Sequence, residues 1–392
     1  ASDNGGGFLN AVGDQINTNP LLAALSNYGG ATPTHALLPG SPALNAGNNC
    51  VLTNTCASNN LGFNLTTDQR GIARPQLTTV DIGAFESQGF TLALAGGNNQ
   101  TATLNAAFAL PLLVGVTSAF GEPVNGGKVS YTPPGSGASA ALVPNPATIS
   151  GGQASVNATA NNVAGSYAVT AAAQGGNAVS FSLTNVCPVI SFTTTPVAPT
   201  CNGGNNGSLT FTPGGGSAPY QFSINGGQSF SASNQFTGLT AGTYQVIVKD
   251  ANGCQSAVTP VTLTQPAALS LSPAALPTAV AGTPFTQTFT ASGGTGTKTL
   301  QLNGVLPAWL SFTAATGTLS GTAPAPGTVS FSITVTDQNN CTFTQSYTLT
   351  IVCPAITLTA ALPGGVQGVA YNQTVAAAPA GTTYSYAVTT NV

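Results

Sequence analysis

Asp68, Arg70, Arg74, Asp81 and Glu86 place three carboxylates and two guanidinium groups in one short stretch of a chain that has only eight acidic and five basic residues in 392. Carboxylates beside basic groups are the equipment of general acid–base chemistry, in which one group gives a proton and another accepts it. The same groups also make charge-assisted, bidentate bonds that lock irregular loops. His35 is the only histidine. A Ser/His/Asp relay must therefore use it, and no nucleophile elbow accompanies it.

The remaining residues with chemical potential are scattered. Asp250 and Asp337 stand in turns and raise the question of calcium. Such sites need about six to eight oxygens, several of them carboxylates, and the acids here come mostly one per turn. Asx-type bonding of the turn backbone is the expected role. Trp309, in Pro307-Ala-Trp-Leu310, is either a sugar-stacking platform or a core side chain, and core is expected. No metal, cofactor or catalytic residue is assigned.

Composition narrows the function classes. Charged residues are 3% of the chain, against about 25% in ordinary soluble domains. Hydrophobic residues are 42% and the net charge is −3, so the chain is expected to fold rather than stay disordered. A pI near 4.7 leaves no electrostatic footprint for nucleic acid or an anionic membrane. The apolar run at residues 106–116 contains Pro111 and is too short to insert in a bilayer. There is no Met and no signal-peptide pattern, which suggests a processed chain or a segment of a longer precursor. Seven Cys without a Cys-x-x-Cys or Cys/His cluster suggest disulfides and an oxidising, extracytoplasmic setting.

The elements that must position these residues are short strands. In residues 328–354, Val329, Phe331, Ile333 and Val335 alternate with hydroxyl residues, the period of a half-buried strand. Asp337-Gln-Asn-Asn340 is a turn, and a second strand runs over 342–352. The pattern recurs at 242–250, followed by Ala251-Asn-Gly and Cys254, and more weakly at 165–170 with a turn at Gly175-Gly-Asn177. These are expected to be closing hairpins of successive sandwiches. With 48 Gly and 27 Pro in clusters between alternating runs, the fold class is all-β.

Family resemblances divide the chain further. Residues 1–88, with Asn19-Pro-Leu-Leu22, the run from Gly29 through Thr34-His-Ala-Leu-Leu-Pro39 to Gly47, Asp68-Gln-Arg-Gly71 and Val80-Asp-Ile-Gly-Ala-Phe-Glu86, resemble the C-terminal end of bacterial right-handed parallel β-helix surface proteins. That resemblance implies a solenoid end and cap, with further coils upstream of Ala1. Enzymes of the β-helix class work with carboxylates and basic residues on the flank of central coils, so a cluster at the end is read as a structural lock. Residues 89–186, with Pro111-Leu-Leu-Val-Gly-Val116 and Gly121-Glu-Pro-Val-Asn-Gly-Gly-Lys-Val129, resemble the invasin-type immunoglobulin-like repeat. Residues 187–265, with Cys201-Asn-Gly-Gly-Asn-Asn-Gly-Ser208, Pro219-Tyr-Gln-Phe222 and Gly238-Leu-Thr-Ala-Gly-Thr-Tyr244, are similar to repeats of bacterial gliding-motility adhesins. Residues 266–352, with Ala275-Leu-Pro-Thr-Ala-Val-Ala-Gly-Thr-Pro-Phe285 and Thr316-Gly-Thr-Leu-Ser-Gly-Thr322, look like an Ig-like repeat found in many copies in secreted bacterial proteins. Residues 353–392 open a further unit of that kind at Ala361-Leu-Pro-Gly-Gly365.

The resemblance to the adhesin repeat implies that Cys201 pairs with Cys254, and Cys50 with Cys56 would staple a loop of the cap. Cys341 and Cys353 flank one strand, about 40 Å apart at about 3.3 Å per residue, and cannot pair within a domain. Cys187, Cys341 and Cys353 lie near domain boundaries, where junction or intermolecular bridges are expected for some of them. Together these readings imply an extracellular, cell-surface structural or adhesive protein forming a stalk, fibre or filament. Its expected partners are copies of itself, head to tail, or a surface or glycan receptor. Both ends of the chain fall inside a structural unit, which favours the head-to-tail reading. The alternatives are a secreted β-helix enzyme acting on polysaccharide, with the sandwiches as spacers, and an array of carbohydrate-binding modules.

Replacing His35 by Ala is expected to leave function intact and at most to loosen the cap. Loss of a specific hydrolytic activity in a variant that still folds would show His35 to be catalytic.

Overall fold

The computed structural model describes residues 17–56, 62–358, 362, 364–378 and 385. The expected opening of the last unit at Ala361 and the first sixteen residues lie outside these. The chain divides into two compact units: residues 1–191 with 214–220 and 249–256, and residues 192–213 with 221–248 and 257–392.

The first unit contains one complete sandwich. Its strands are β1 (Thr91–Gly96), β2 (Gln100–Thr103), β3 (Leu112–Thr117), β4 (Lys128–Thr132), β5 (Ala140–Val143), β6 (Ala147–Thr148), β7 (Gln153–Ala160), β8 (Gly165–Ala172) and β9 (Val179–Val186). They form two sheets, ordered β1-β3-β7-β5 and β2-β9-β8-β4-β6, with β2 parallel to β9. Strict alternation in β7 sends Ala154, Val156, Ala158 and Ala160 inward. Those small side chains leave room for Tyr131 and Phe181, which stack at 6.1 Å between centroids and are both buried. The Tyr131 hydroxyl, carried into the core, donates to the Ala154 carbonyl at 2.8 Å, as a buried O–H must.

Residues 17–88 fold against this sandwich. Ala36, Leu37, Leu44 and Phe85 join its core, and Gly40 N and Lys128 N donate to the Gln174 and Pro39 carbonyls. The stretch is turn-rich, with one 3-10 turn at Asn49–Leu52 and antiparallel bridges pairing Leu22 with Leu37, Ser26 with Thr34 and Thr67 with Ala73. Its described residues contain no parallel ladder, so the expected β-helix coil is not shown. The apolar pieces are too short to carry a ladder, and Asn17, Leu21, Asn45 and Asn54 turn the chain with positive φ between them.

The second unit holds the sheets of a second sandwich and all of a third. The second has β10 (Ser191–Val197), β11 (Gly207–Gly214), β12 (Gln221–Ser223), β13 (Gln235–Leu239), β14 (Gly242–Lys249) and β15 (Thr259–Leu263), in sheets β10-β11-β13 and β12-β14-β15. Phe211, fully buried, is ringed by Phe222 at 5.3 Å, Phe236 at 5.7 Å and Phe192 at 6.0 Å.

The third runs through β16 (Ser270–Ser272), β17 (Ala279–Val280), β18 (Pro284–Thr288), β19 (Thr290–Ser292), β20 (Thr299–Asn303), β21 (Leu310–Thr313), β22 (Thr318–Thr322), β23 (Gly327–Thr336) and β24 (Thr342–Val352). Its main sheets are β17-β24-β23-β20 and β18-β22-β21. The β23/β24 hairpin sends Phe331, Ile333, Val335, Tyr347, Leu349 and Ile351 inward, and Trp309 packs half-buried against that core. Short strands β25 (Thr357–Leu358) and β26 (Ala377–Ala378) pair beyond it.

Phe211→Ala should cost the second sandwich about 3–5 kcal/mol, the range for emptying an aromatic core position. Thr262→Ala removes only an exposed hydroxyl pair with Thr243 and should cost about 0.5 kcal/mol or less. Denaturant midpoints of the two variants test this, and equal shifts would remove Phe211 as the centre of that core.

Candidate functional site

The five charged residues singled out above do come together, at the base of residues 17–88. Asp68 opens a tight turn in which its Oδ1 accepts the backbone N–H groups of Arg70 at 2.8 Å and Ile72 at 2.9 Å. Its Oδ2 accepts Glu86 N at 2.9 Å and the Arg70 guanidinium at 2.9 Å. Arg70 lies flat on Phe85, 3.5 Å from the ring centroid, and donates through Nη2 to the Glu86 carbonyl at 2.5 Å. Arg74 is 3.3 Å from Glu86 Oε2 and donates to the carbonyls of Asp81 and Gly83. Glu86 in turn accepts from Gln76 N and Asp81 N, and Asp81 accepts from Asn45 N at 2.7 Å and Ser87 N at 2.6 Å.

One member of the network is missing from the sequence reading. Glu122, from the loop after β3, accepts the Ser87 hydroxyl at 2.7 Å and Gln88 N at 2.9 Å, and lies 4.0 Å from Arg70. It is an isolated acid in Gly121-Glu-Pro123, and only the packing of the sandwich on residues 17–88 brings it to the others. The set is thus four carboxylates against two guanidinium groups; the carboxylates and Arg74 are each at most 8% exposed, and Arg70 is half-buried. Every carboxylate accepts backbone N–H groups, and the network ties these loops together as a lock.

Burial decides the protonation of this lock. It pushes the Asp81 carboxyl up to about 6, against the Asn45 and Ser87 N–H bonds and with the Glu86 charge adding to the rise. Glu122 is also pushed up by burial, against its bonds from Ser87 and Gln88. Asp68 is opposite: burial raises it, but the N–H groups of Glu86, Ile72 and Arg70 and the Arg70 side chain together hold it below the ordinary carboxylate value.

His35 is exposed, and its Nδ1 lies 2.8 Å from the Ala23 carbonyl. A carbonyl can only accept, so Nδ1 carries the proton in that bond. Beside it, Leu22, Leu25, Leu37, Ile82 and Phe85 line an apolar cleft of about 370 Å³.

Asp250 and Asp337 build two copies of one device. Asp250 Oδ1 accepts Asn252 N and Cys254 N, and its Oδ2 accepts Ser217 N. Asp337 Oδ1 accepts Asn339 N and Cys341 N, and its Oδ2 accepts Thr295 N at 2.7 Å. That last bond leads the set holding the Asp337 carboxyl below its usual value. Each Asp presses a glycine loop: a Cβ on Gly216 would stand 3.1 Å from Asp250 Oδ2, and one on Gly294 2.7 Å from Asp337 Oδ2. Both glycines have positive φ, +70° and +57°, so a side chain is excluded twice over. Among the described residues no group of three or more His, Cys, Asp or Glu could hold a metal ion.

Cys50 is bonded to Cys56, with Cα atoms 5.0 Å apart. The expected pairing of Cys201 with Cys254 is corrected: Cys187 bonds Cys254 and Cys201 bonds Cys341, both at 5.6 Å between Cα atoms. Cys201 lies in the loop before β11, whereas the Cys254 turn packs on the loop after it, through the Ser217–Asp250 bond. A strand of that length spans about 25 Å, far beyond the roughly 7 Å that a disulfide bridges. Around Cys201, Asn339 donates to the Thr200 carbonyl, Asn202 to the Pro266 carbonyl and Gly203 N to Gln265 Oε1. A cleft of about 390 Å³ opens there, lined by Asn202, Ala268, Leu269, Cys341 and Phe343.

Comparison with known proteins gives two family matches. Residues 265–352 match the family described as "Putative Ig domain", and residues 193–229 match the SprB repeat. No curated protein sequence matches the chain. Similar solved structures include an I-band fragment of titin, at 13% identity over 68% of this chain and 99% of that one, with a TM-score of 0.31. Another is invasin, a bacterial integrin-binding protein, at 19% identity over 69% of this chain and 61% of that one, TM-score 0.28. Domains 1–6 of the surface layer protein SbsC match at 15% identity over 69% of this chain and 42% of that one, TM-score 0.24.

The lock makes stability depend on pH in two directions. Asp81 binds its proton more tightly folded than unfolded, so its contribution is complete below about pH 4 and is lost as pH rises through about 6. Asp68 contributes above the ordinary carboxylate range and loses that contribution as pH falls below it. The first unit should therefore be most stable near pH 4 and lose on the order of 2–3 kcal/mol from Asp81 as pH rises from about 4 to about 6, with the raised Glu122 carboxyl adding to the loss. In Asp81→Asn one acceptor becomes an NH₂ donor facing a backbone N–H, so stability should drop at every pH, but its fall between pH 4 and 7 should shrink to the part that Glu122 contributes. Calorimetry across that range is the measurement, and a melting temperature of the unaltered chain that does not fall from pH 4 to 7 contradicts the assignment.

Proposed function

We propose that this chain belongs to a secreted bacterial surface protein with a structural and adhesive role and no catalytic one. Its tandem sandwiches build a stalk or fibre that associates with copies of itself head to tail or engages a surface receptor such as a glycan. The observation that carries this reading is the succession of an SprB repeat and an Ig-type domain, each closed by the same Asp-x-Asn-x-Cys turn with its cysteine in a disulfide. The three bridges support an oxidising, extracellular setting. The resemblance of 187–265 to adhesin repeats supports the adhesive part. No helix of the described residues is long and apolar enough to cross a membrane. That residues 1–88 cap a parallel β-helix is part of the proposal, resting on the family resemblance of their motifs, with the buried lock as the means of closing irregular loops.

A surface with little charge supports self-association. The outer face of β23 and β24 pairs Thr328 with Thr350, Ser330 with Thr348, Ser332 with Ser346, Thr334 with Thr344 and Thr336 with Thr342, without one ionisable group. Such a face sets up no like-charge repulsion between copies.

Electron microscopy and light scattering of the intact native protein test the fibre. Filaments or a distribution of multimers are expected, and monodisperse single particles that also bind no cell surface or glycan would reject the reading.

A further inference from the structure

The chain carries the tripeptide Val-Cys-Pro twice, each time at the end of the last strand of a sandwich: Val186-Cys187-Pro188 after β9 and Val352-Cys353-Pro354 after β24. The likeness continues, as Ile190-Ser191-Phe192 against Ile356-Thr357-Leu358. At the first site both anchoring residues are engaged. Cys187 is bonded to Cys254 of an Asp-x-Asn-x-Cys turn, and Ile190, 6% exposed, lies under the glycine loop that Asp250 holds. The third sandwich repeats the apolar half of this joint. There Leu269 lies under Gly294 beside Asp337, in the 2.6 Å to 2.7 Å range of a Cβ placed on that glycine.

At the second site neither residue is engaged. Cys353 is exposed and is the one free cysteine, since the other six are paired. Ile356 is 64% exposed and Leu358 55% exposed. The thiol and the apolar side chain that found separate partners at the first site thus stand uncovered together, in the same sequence order. The turn cysteines of this chain, Cys254 and Cys341, are both consumed.

From this we infer that residues 353–358 are the acceptor half of a sandwich joint, and that their partner is the end of a further sandwich carrying a glycine loop over an Asp-x-Asn-x-Cys turn. Cys353 bonds that turn's cysteine, and Ile356 slots under the glycine loop as Ile190 does. In forming the bond two S–H bonds break and one S–S bond forms. Two protons and two electrons leave, reducing the disulfide of a thiol–disulfide oxidoreductase to its dithiol. The joint goes beyond the adhesive reading and does not require fibres, since the partner sandwich can belong to the same polypeptide or to another copy.

The test is a disulfide map of the native protein, isolated with iodoacetamide to trap free thiols and digested without reduction. The Cys353 peptide should appear joined to a peptide in which Asp stands four residues before the bonded Cys, with alkylated Cys353 in fewer than about one molecule in ten. Electrophoresis with and without reductant then separates the two sources: a bridge within one polypeptide leaves the chain mass unchanged, and a bridge between polypeptides gives a ladder that collapses to one band. Cys353→Ser should abolish the joined peptide while leaving the Cys187–Cys254 and Cys201–Cys341 peptides in place. A predominantly alkylated Cys353, a Cys353–Cys353 pair, a glutathione adduct, or a partner cysteine without that Asp overturns the inference. Filaments with alkylated Cys353 would reject the joint and keep the fibre, and single particles with the bridge intact would do the reverse.

Discussion

A buried carboxylate that collects backbone N–H groups is the interaction on which the rest of this structure depends. The chain has eight acidic residues. Asp68, Asp81, Glu86, Glu122, Asp250 and Asp337 are all at most 7% exposed, and each accepts at least one backbone N–H in a loop. The other two, Asp3 and Asp14, lie outside the described residues. Loops leave N–H groups that no ladder pairs, and an unpaired buried donor costs about 1–3 kcal/mol. A carboxylate accepts several at once, which is why one acid per loop suffices. The acids are thereby used up in architecture, and none of these six is left facing solvent as a proton donor or metal ligand.

The same economy shapes the sheets. With Thr, Ser and Asn in place of charges, the outer faces bond to themselves across strands, as between Thr334 and Thr344 at 2.7 Å, Ser166 and Thr184 at 2.9 Å, and Asn303 and Thr334 at 2.8 Å. Such pairs add about 0.2–1 kcal/mol each. The larger stabilisation comes from the inner faces, where aromatic groups meet: Phe211 with three other rings, and Tyr347 with Phe289 and Phe331.

Strand identity was legible from sequence because a two-residue period has a single physical cause, one face buried and one wet. Val329, Phe331, Ile333 and Val335 needed no further information. The turn at Asp337 was also legible, since its donors at Asn339 and Cys341 are local, whereas its bond from Thr295 comes from another loop. In the lock, five members are close in sequence and were visible as a cluster, while Glu122 arrives from another domain and carried no local signal. Disulfide pairing failed for the same reason: which end of a sandwich a loop occupies depends on strand order, and family likeness placed Cys201 at the wrong end of β11. The β-helix expectation rested on short apolar pieces between turns. Two or three apolar residues fit an isolated antiparallel bridge, such as Leu22 with Leu37, as well as a rung of a parallel coil.

The burial of the six described acidic groups also limits the charge that this surface presents to others. Long-range steering needs exposed charge, and salt screens it within about 8 Å at physiological ionic strength. Here the described carboxylates are buried in loops, so this surface offers a partner short-range groups instead: hydroxyl faces, strand edges and uncovered apolar side chains. Hydroxyls that already pair with each other across strands gain little by exchanging partners, because the net worth of a hydrogen bond is only about 1 kcal/mol. The places where binding can release real free energy are therefore those where apolar area is still exposed, and in the third sandwich's exit these are Ile356 and Leu358.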